Sequence, residues 1–269
     1  ININSGTLSI GVGGADTGDY NIASGATLAF LGGTRNIDSF STLSGAGNIA
    51  FSGGTTNLNT SVNYNVTGAI TASGGTANFD ATDDSSPPVN ISASSLTVNG
   101  GIINFIGNAL TTPTLIFSSG TLGGNGAVNL TGPGSTWTGG NFDGTGKLVV
   151  GTGANWAVSG AASRSIFNGY DIDNLGTVNM TQSGTVFTTG TPTTFVTNTG
   201  TWNANQTAAF GEETGGGSFR FNNTSGTVNR TTAGTGTILN VTNSGTMNVQ
   251  AGTLQIDNRG GFTSSGNFS

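Results

Sequence analysis

Gly75-Thr76-Ala77-Asn78-Phe79, Gly101-Ile102-Ile103-Asn104-Phe105 and Gly126-Ala127-Val128-Asn129-Leu130 are three copies of one phrase. It reads Gly-x-Φ-x-Φ, with Φ usually apolar. The phrase extends backwards to Gly47-Asn48-Ile49-Ala50-Phe51. It extends forwards through Gly146-Lys147-Leu148-Val149-Val150, Gly176-Thr177-Val178-Asn179-Met180, Gly200-Thr201-Trp202-Asn203-Ala204 and Gly226-Thr227-Val228-Asn229-Arg230 to Gly245-Thr246-Met247-Asn248-Val249. Ile1-Asn2-Ile3 and Leu28-Ala29-Phe30 fit the same position. A strand phrase that returns roughly every 19 to 30 residues is the mark of a coil stacked on itself.

Composition points the same way. The chain has 269 residues, with 48 Gly, no Cys, no His and only 7% charged residues. Globular domains carry about a quarter charged residues, and a chain so rich in Gly, Thr and Asn is a poor helix former. The net charge of −6 is diffuse. Nucleic-acid binding requires clustered Lys and Arg, and no such cluster is present. No apolar run approaches the ~20 residues of a membrane-spanning helix. The absence of Cys removes disulfides, thiolate catalysis and most structural zinc sites.

Residues two apart in a strand face the same side. With the Φ residues inward, one core row runs Ile1, Leu28, Ile49, Ala77, Ile103, Val128, Leu148, Val178, Trp202, Val228, Met247. A second runs Ile3, Phe30, Phe51, Phe79, Phe105, Leu130, Val150, Met180, Ala204, Arg230, Val249, with Arg230 the one break. Phe51, Phe79 and Phe105 are expected directly above one another. The sequence thus predicts an all-β parallel β-helix of ten to eleven coils of about 25 residues, within the solenoid range. It is read as one domain, residues 1–269, a segment of a longer repetitive protein. Each coil holds two or three strands, as Gly252-Thr253-Leu254-Gln255-Ile256 shows by following directly on Met247-Asn248-Val249. Asn occupies the middle of the phrase at 2, 78, 104, 129, 179, 203, 229 and 248. These side chains are expected to point outward and to hydrogen-bond along the axis as a structural ladder. Residues 247–269 also resemble residues 1–21, as a super-repeat or as the shared wording of any two coils.

The wording Asn-Ser-Gly-Thr-Φ-Asn, with Ala251-Gly252-Thr253-Leu254, Ser24-Gly25-Ala26-Thr27-Leu28-Ala29-Phe30, Leu43-Ser44-Gly45-Ala46-Gly47-Asn48-Ile49 and Ser52-Gly53-Gly54-Thr55-Thr56, resembles the stalks of large bacterial surface proteins. These are the filamentous-haemagglutinin-type adhesins and autotransporter passenger domains. The resemblance implies a right-handed parallel β-helix, secreted and displayed on the cell surface, with roles in adhesion, biofilm or fibre formation. It carries over no catalytic residue.

Chemistry-bearing residues are few. Asp80, Asp83 and Asp84 lie in a Pro-containing loop, Asp171 and Asp173 share one side of a strand, and Glu212 and Glu213 are adjacent. Paired carboxylates serve glycoside hydrolysis, and the first trio offers oxygen ligands for calcium. The plainer reading of each is a solvated turn or an Asp-stabilised corner. Gly13-Gly14-Ala15-Asp16-Thr17-Gly18-Asp19 departs from the calcium nonapeptide. An ice-binding surface needs Thr-x-Thr on one face of consecutive coils, and neither Thr191-Pro192-Thr193-Thr194 nor Thr235-Gly236-Thr237 sets such a register. The expectation is an extracellular structural or adhesive rod with no catalytic, metal or cofactor site. Its partners are further coils end to end, a host surface or a polysaccharide. The alternative is a carbohydrate-active or carbohydrate-binding β-helix of the tailspike or lyase kind.

Overall fold

The computed structural model describes residues 1–38, 40–59, 62–80, 90–259 and 263–269. Among these the chain forms 34 strands and no helix, and therefore no helix long and apolar enough to cross a membrane. Every pairing between strands is parallel, and partners come from successive windings. The result is a β-solenoid of about 12 turns with three walls. The first wall holds a 4-stranded sheet from Asn2–Ile3 to Asn63–Val66. Farther along the axis it holds a 9-stranded sheet from Asn90–Ser92 to Thr263–Ser264. The second wall runs from Thr7–Ile10 to Asn267–Phe268, and the third from Gly14–Asp16 to Thr253–Asp257.

In the middle of the rod the second and third walls share continuous strands, Asn48–Leu58, Ala69–Asp80, Ser95–Ile106 and Leu115–Gly124. Their register shifts where the strand bends at Gly74 and after Val98. Glycine is required at that bend. Gly33, Gly54 and Gly75 stack with φ of 70°, 68° and 65°. A Cβ on Gly54 would lie 2.1 Å from the Gly33 carbonyl oxygen. Only a residue without Cβ combines that left-handed backbone with so close an approach between turns.

Apolar columns do fill the interior, but each column belongs to one wall. On the first wall Ile91, Leu110, Val128, Leu148, Ile172, Val196, Phe221 and Val241 are in register and buried. On the second, Leu28 continues to Ile49, Ile70, Leu96 and Leu115, and farther on Trp156 leads to Val178, Trp202, Val228 and Met247. On the third, Ile37, Leu58, Phe79 and Phe105 align.

The single rows read from the repeated phrase are therefore corrected. Leu28 and Ile49 sit on the second wall, Ala77 and Ile103 on the third, Val128 and Leu148 on the first, and Val178 onward on the second again. Phe51 stacks on Phe30 at 5.6 Å and takes Ala72 as its partner above. It meets Phe79 edge-on at 5.9 Å across the interior, while Phe79 stacks on Phe105 at 5.2 Å. Ile3 pairs with Ile22 rather than Phe30, and Ile1 and Val249 are exposed. The cause is that all three walls use the same strand-and-glycine wording. A reading that advances by about 25 residues overshoots a turn such as the 21 residues from Asn36 to Asn57, and so steps onto the next wall.

Candidate functional site

The most ordered polar arrangement is a set of asparagine ladders. On the third wall the Nδ2 groups of Asn57, Asn78 and Asn104 each donate to the Oδ1 of the Asn one turn below, at 2.8 Å, beginning from Asn36. On the second wall Asn155, Asn179, Asn203, Asn229 and Asn248 form the same chain, at 2.7 to 3.1 Å. The outward ladder read from the phrase is thus present but divided between two walls. Two members lie elsewhere: Asn2 pairs with Asn21 on the first wall, and Asn129 donates to the Leu110 carbonyl.

A third ladder points inward. Asn174, Asn198, Asn223 and Asn243 are buried on the first wall, and Nδ2 of each of the first three donates to the next Oδ1 at 2.7 to 2.8 Å. The second N–H of Asn174 reaches the Thr201 carbonyl at 2.9 Å, and its Oδ1 accepts the Gly176 N–H at 3.1 Å. Buried amides are costly unless bonded, and here the ladder ties the corner between walls. Its sequence signal is an Asn just ahead of Gly-Thr, as in Asn243-Ser244-Gly245-Thr246.

Two buried arginines use the same logic. Arg230 occupies its inward register position with no exposed surface. Its guanidinium donates to the carbonyls of Ala204 at 2.8 Å, Gln206 at 2.7 Å and Ala233 at 3.2 Å. Arg164 donates to Trp137 O at 2.6 Å and Ser159 O at 2.7 Å, and lies 4.9 Å from the Trp137 ring centroid. Burial lowers both guanidinium pKa values, that of Arg164 to about 10. The forked donors cap carbonyls where the chain turns between walls, so Arg230 belongs to the core and leaves the row unbroken.

The acidic candidates are held separately. Asp171 and Asp173 are half-buried on the outer side of Asp171–Asn174. Asp171 accepts the Phe195 N–H at 2.7 Å, and Asp173 pairs with Lys147 at 3.0 Å. Desolvation raises the Asp171 pKa and the charge of Asp173 adds to this, while the Phe195 N–H and Lys147 oppose it. Glu213 Oε1 accepts from the Phe219 N–H and Asn240 Nδ2, both at 2.8 Å, and Glu212 pairs with Arg259 at 2.7 Å. Glu213, Ser218, Arg220, Asn240 and Arg259 line a shallow cleft of about 110 Å³. Asp16 pairs with Arg35 at 2.6 Å and accepts the Tyr20 hydroxyl at 3.0 Å. Asp80 ends the strand Ala69–Asp80, while Asp83 and Asp84 lie outside the described residues. Among the described residues no three His, Cys, Asp or Glu side chains gather as metal ligands would.

Thr177, Thr201, Thr227 and Thr246 do stand in register on the second wall, each with an Asn two residues on. The pattern is Thr-x-Asn rather than Thr-x-Thr. Compared with family models, curated proteins and solved structures, the chain matches none.

Proposed function

We propose that the chain is an extracellular structural element, a stiff β-solenoid rod displayed on a bacterial cell surface with an adhesive or fibre-forming role. The observation that carries this reading is the interior. Apolar columns and amide ladders occupy it along the axis, and Asp171, Asp173, Glu212 and Glu213 each hold a partner on another winding. Each winding is hydrogen-bonded to the next, so bending the rod means breaking ladders on at least one wall. Axial continuation, into more coils of the same chain or into a second subunit, belongs to the same proposal, because a repeat of this kind adds windings without a new kind of contact. A sugar-cleaving site needs two carboxylates facing one another about 5 to 9 Å apart across a bound substrate. Asp171 and Asp173 instead share the outer side of one strand, each with a partner of its own.

The test is made on cells that produce the parent chain. Protease treatment of intact cells is expected to remove the solenoid, and deletion of residues 1–269 to abolish cell aggregation or adhesion. Recovery of the chain from the cytoplasm alone, or depolymerisation of a polysaccharide by the purified chain, overturns the proposal.

A further inference from the structure

The three walls differ in charge. The first carries Lys147, Asp171, Asp173 and Arg220 on its strands, and the third carries Asp143, Glu212, Glu213 and Asp257. Among the described residues no outward position of any second-wall strand, from Thr7–Ile10 to Asn267–Phe268, holds a charged residue. The outward residues are Thr, Ser, Asn and Ala, with Ile116 the one large apolar side chain among them. Arg230 belongs to a strand of this wall but points inward.

An uncharged wall on an acidic rod is a contact surface whose occupant can be argued from size, charge and period. About a dozen steps of ~4.8 Å, by four residues of ~3.3 Å, make a strip of roughly 750 Å². That is close to the ~800 Å² that each partner contributes to a standard stable interface. Among the described residues the outward charges lie on the other walls and corners, so joining two rods along this wall keeps their like charges apart. A second rod also has the same axial period. Its Thr and Asn rows match this one step for step, and small side chains let two sheets close to the ~10 Å of packed β-layers.

We propose that the second wall is the docking surface for a second copy of this chain, packed side by side about a two-fold axis. Such an interface is isologous, the same strip being used by both copies. The pairing goes beyond the surface-rod reading and stands apart from it. A strictly monomeric rod would leave that reading in place, and a paired rod found in the cytoplasm would leave the pairing in place.

Sedimentation of the purified chain over a concentration series tests it, beside two double variants. Thr71→Lys with Thr201→Lys places charge on the second wall. Thr197→Lys with Thr242→Lys places the same charge on the outer side of the first. The native chain is expected to form dimers, the second-wall variant to weaken them at least tenfold, and the first-wall variant to leave them unchanged. Circular dichroism and melting of all three confirm that the solenoid is retained. A native chain that stays monomeric at concentrations on the order of 100 μM overturns the proposal. So does dimerisation that both variants weaken equally, or that neither weakens.

Discussion

Three tyrosines show at the residue scale how a charge-poor solenoid sets its chemistry. Tyr20 is buried, and its hydroxyl donates to Asp16. Desolvation first, then that hydrogen bond and the Asp16 charge, push its pKa up to about 12, against the opposing Arg35. Burial alone moves Tyr64 and Tyr170 in the same direction. The folded chain keeps these protons where the unfolded chain releases them, near pH 10. Their contribution to stability is therefore complete below pH 10 and is lost as the pH rises above 10 through the raised native values. Phenolate absorbance of the native protein is expected to stay flat through pH 10, while the urea-unfolded chain titrates all three tyrosines there. A native phenol with an ordinary midpoint would contradict the burial described.

At the scale of the element, the inner and outer asparagine ladders look alike but carry different weights. Asn198 accepts from Asn174 and donates to Asn223, all three buried. Asn198→Ala strands the Asn223 carbonyl oxygen without solvent, and is expected to destabilise the protein by about 2–3 kcal/mol. Asn203 has the same two kinds of neighbour, Asn179 and Asn229, on the half-buried outer side. Water replaces the lost partner there, so Asn203→Ala is expected to cost below about 1 kcal/mol. Urea or thermal unfolding of the two variants separates them, and equal losses would mean that the inner ladder is solvated.

On the scale of the whole molecule, each turn touches only the turns beside it, so the solenoid should tolerate loss of one complete winding. Removing residues 201–226 sets Val228 on Val178 and Asn229 on Asn179, whose partners they replace. On the first wall it sets Val241 on Val196 and Asn243 on Asn198. This deletion is expected to fold into a rod about 4.8 Å shorter, as X-ray scattering would report. Removing residues 201–213 instead takes away a part-turn. It slides strands of one wall onto another, and is expected to lose cooperative melting. Retention of a native melt by the part-turn deletion would count against wall-specific columns.

Much of this protein is legible along the chain itself. Gly-x-Φ-x-Φ repeated at near-constant distance dictates strands, parallel stacking and a buried apolar interior. Asn at the centre of the phrase dictates that amides line up, because alternation in a strand and recurrence along the chain are local properties. Which wall a phrase belongs to is not local. Phe51 and Phe79 each close a Gly-x-Φ-x-Φ phrase, yet Phe51 pairs with Ala72 and Phe79 with Phe105. The walls share one vocabulary, and only the closure of a turn, with glycine at the bend and hydrogen bonds to the winding below, assigns each strand its partner. The same closure turned Arg230 inward onto three carbonyls, placed four asparagines in the interior, and set the outward charges of the described strands on the first and third walls while leaving the second bare. Those outcomes depend on residues about twenty positions apart meeting in space, a relation that the order of residues alone does not contain.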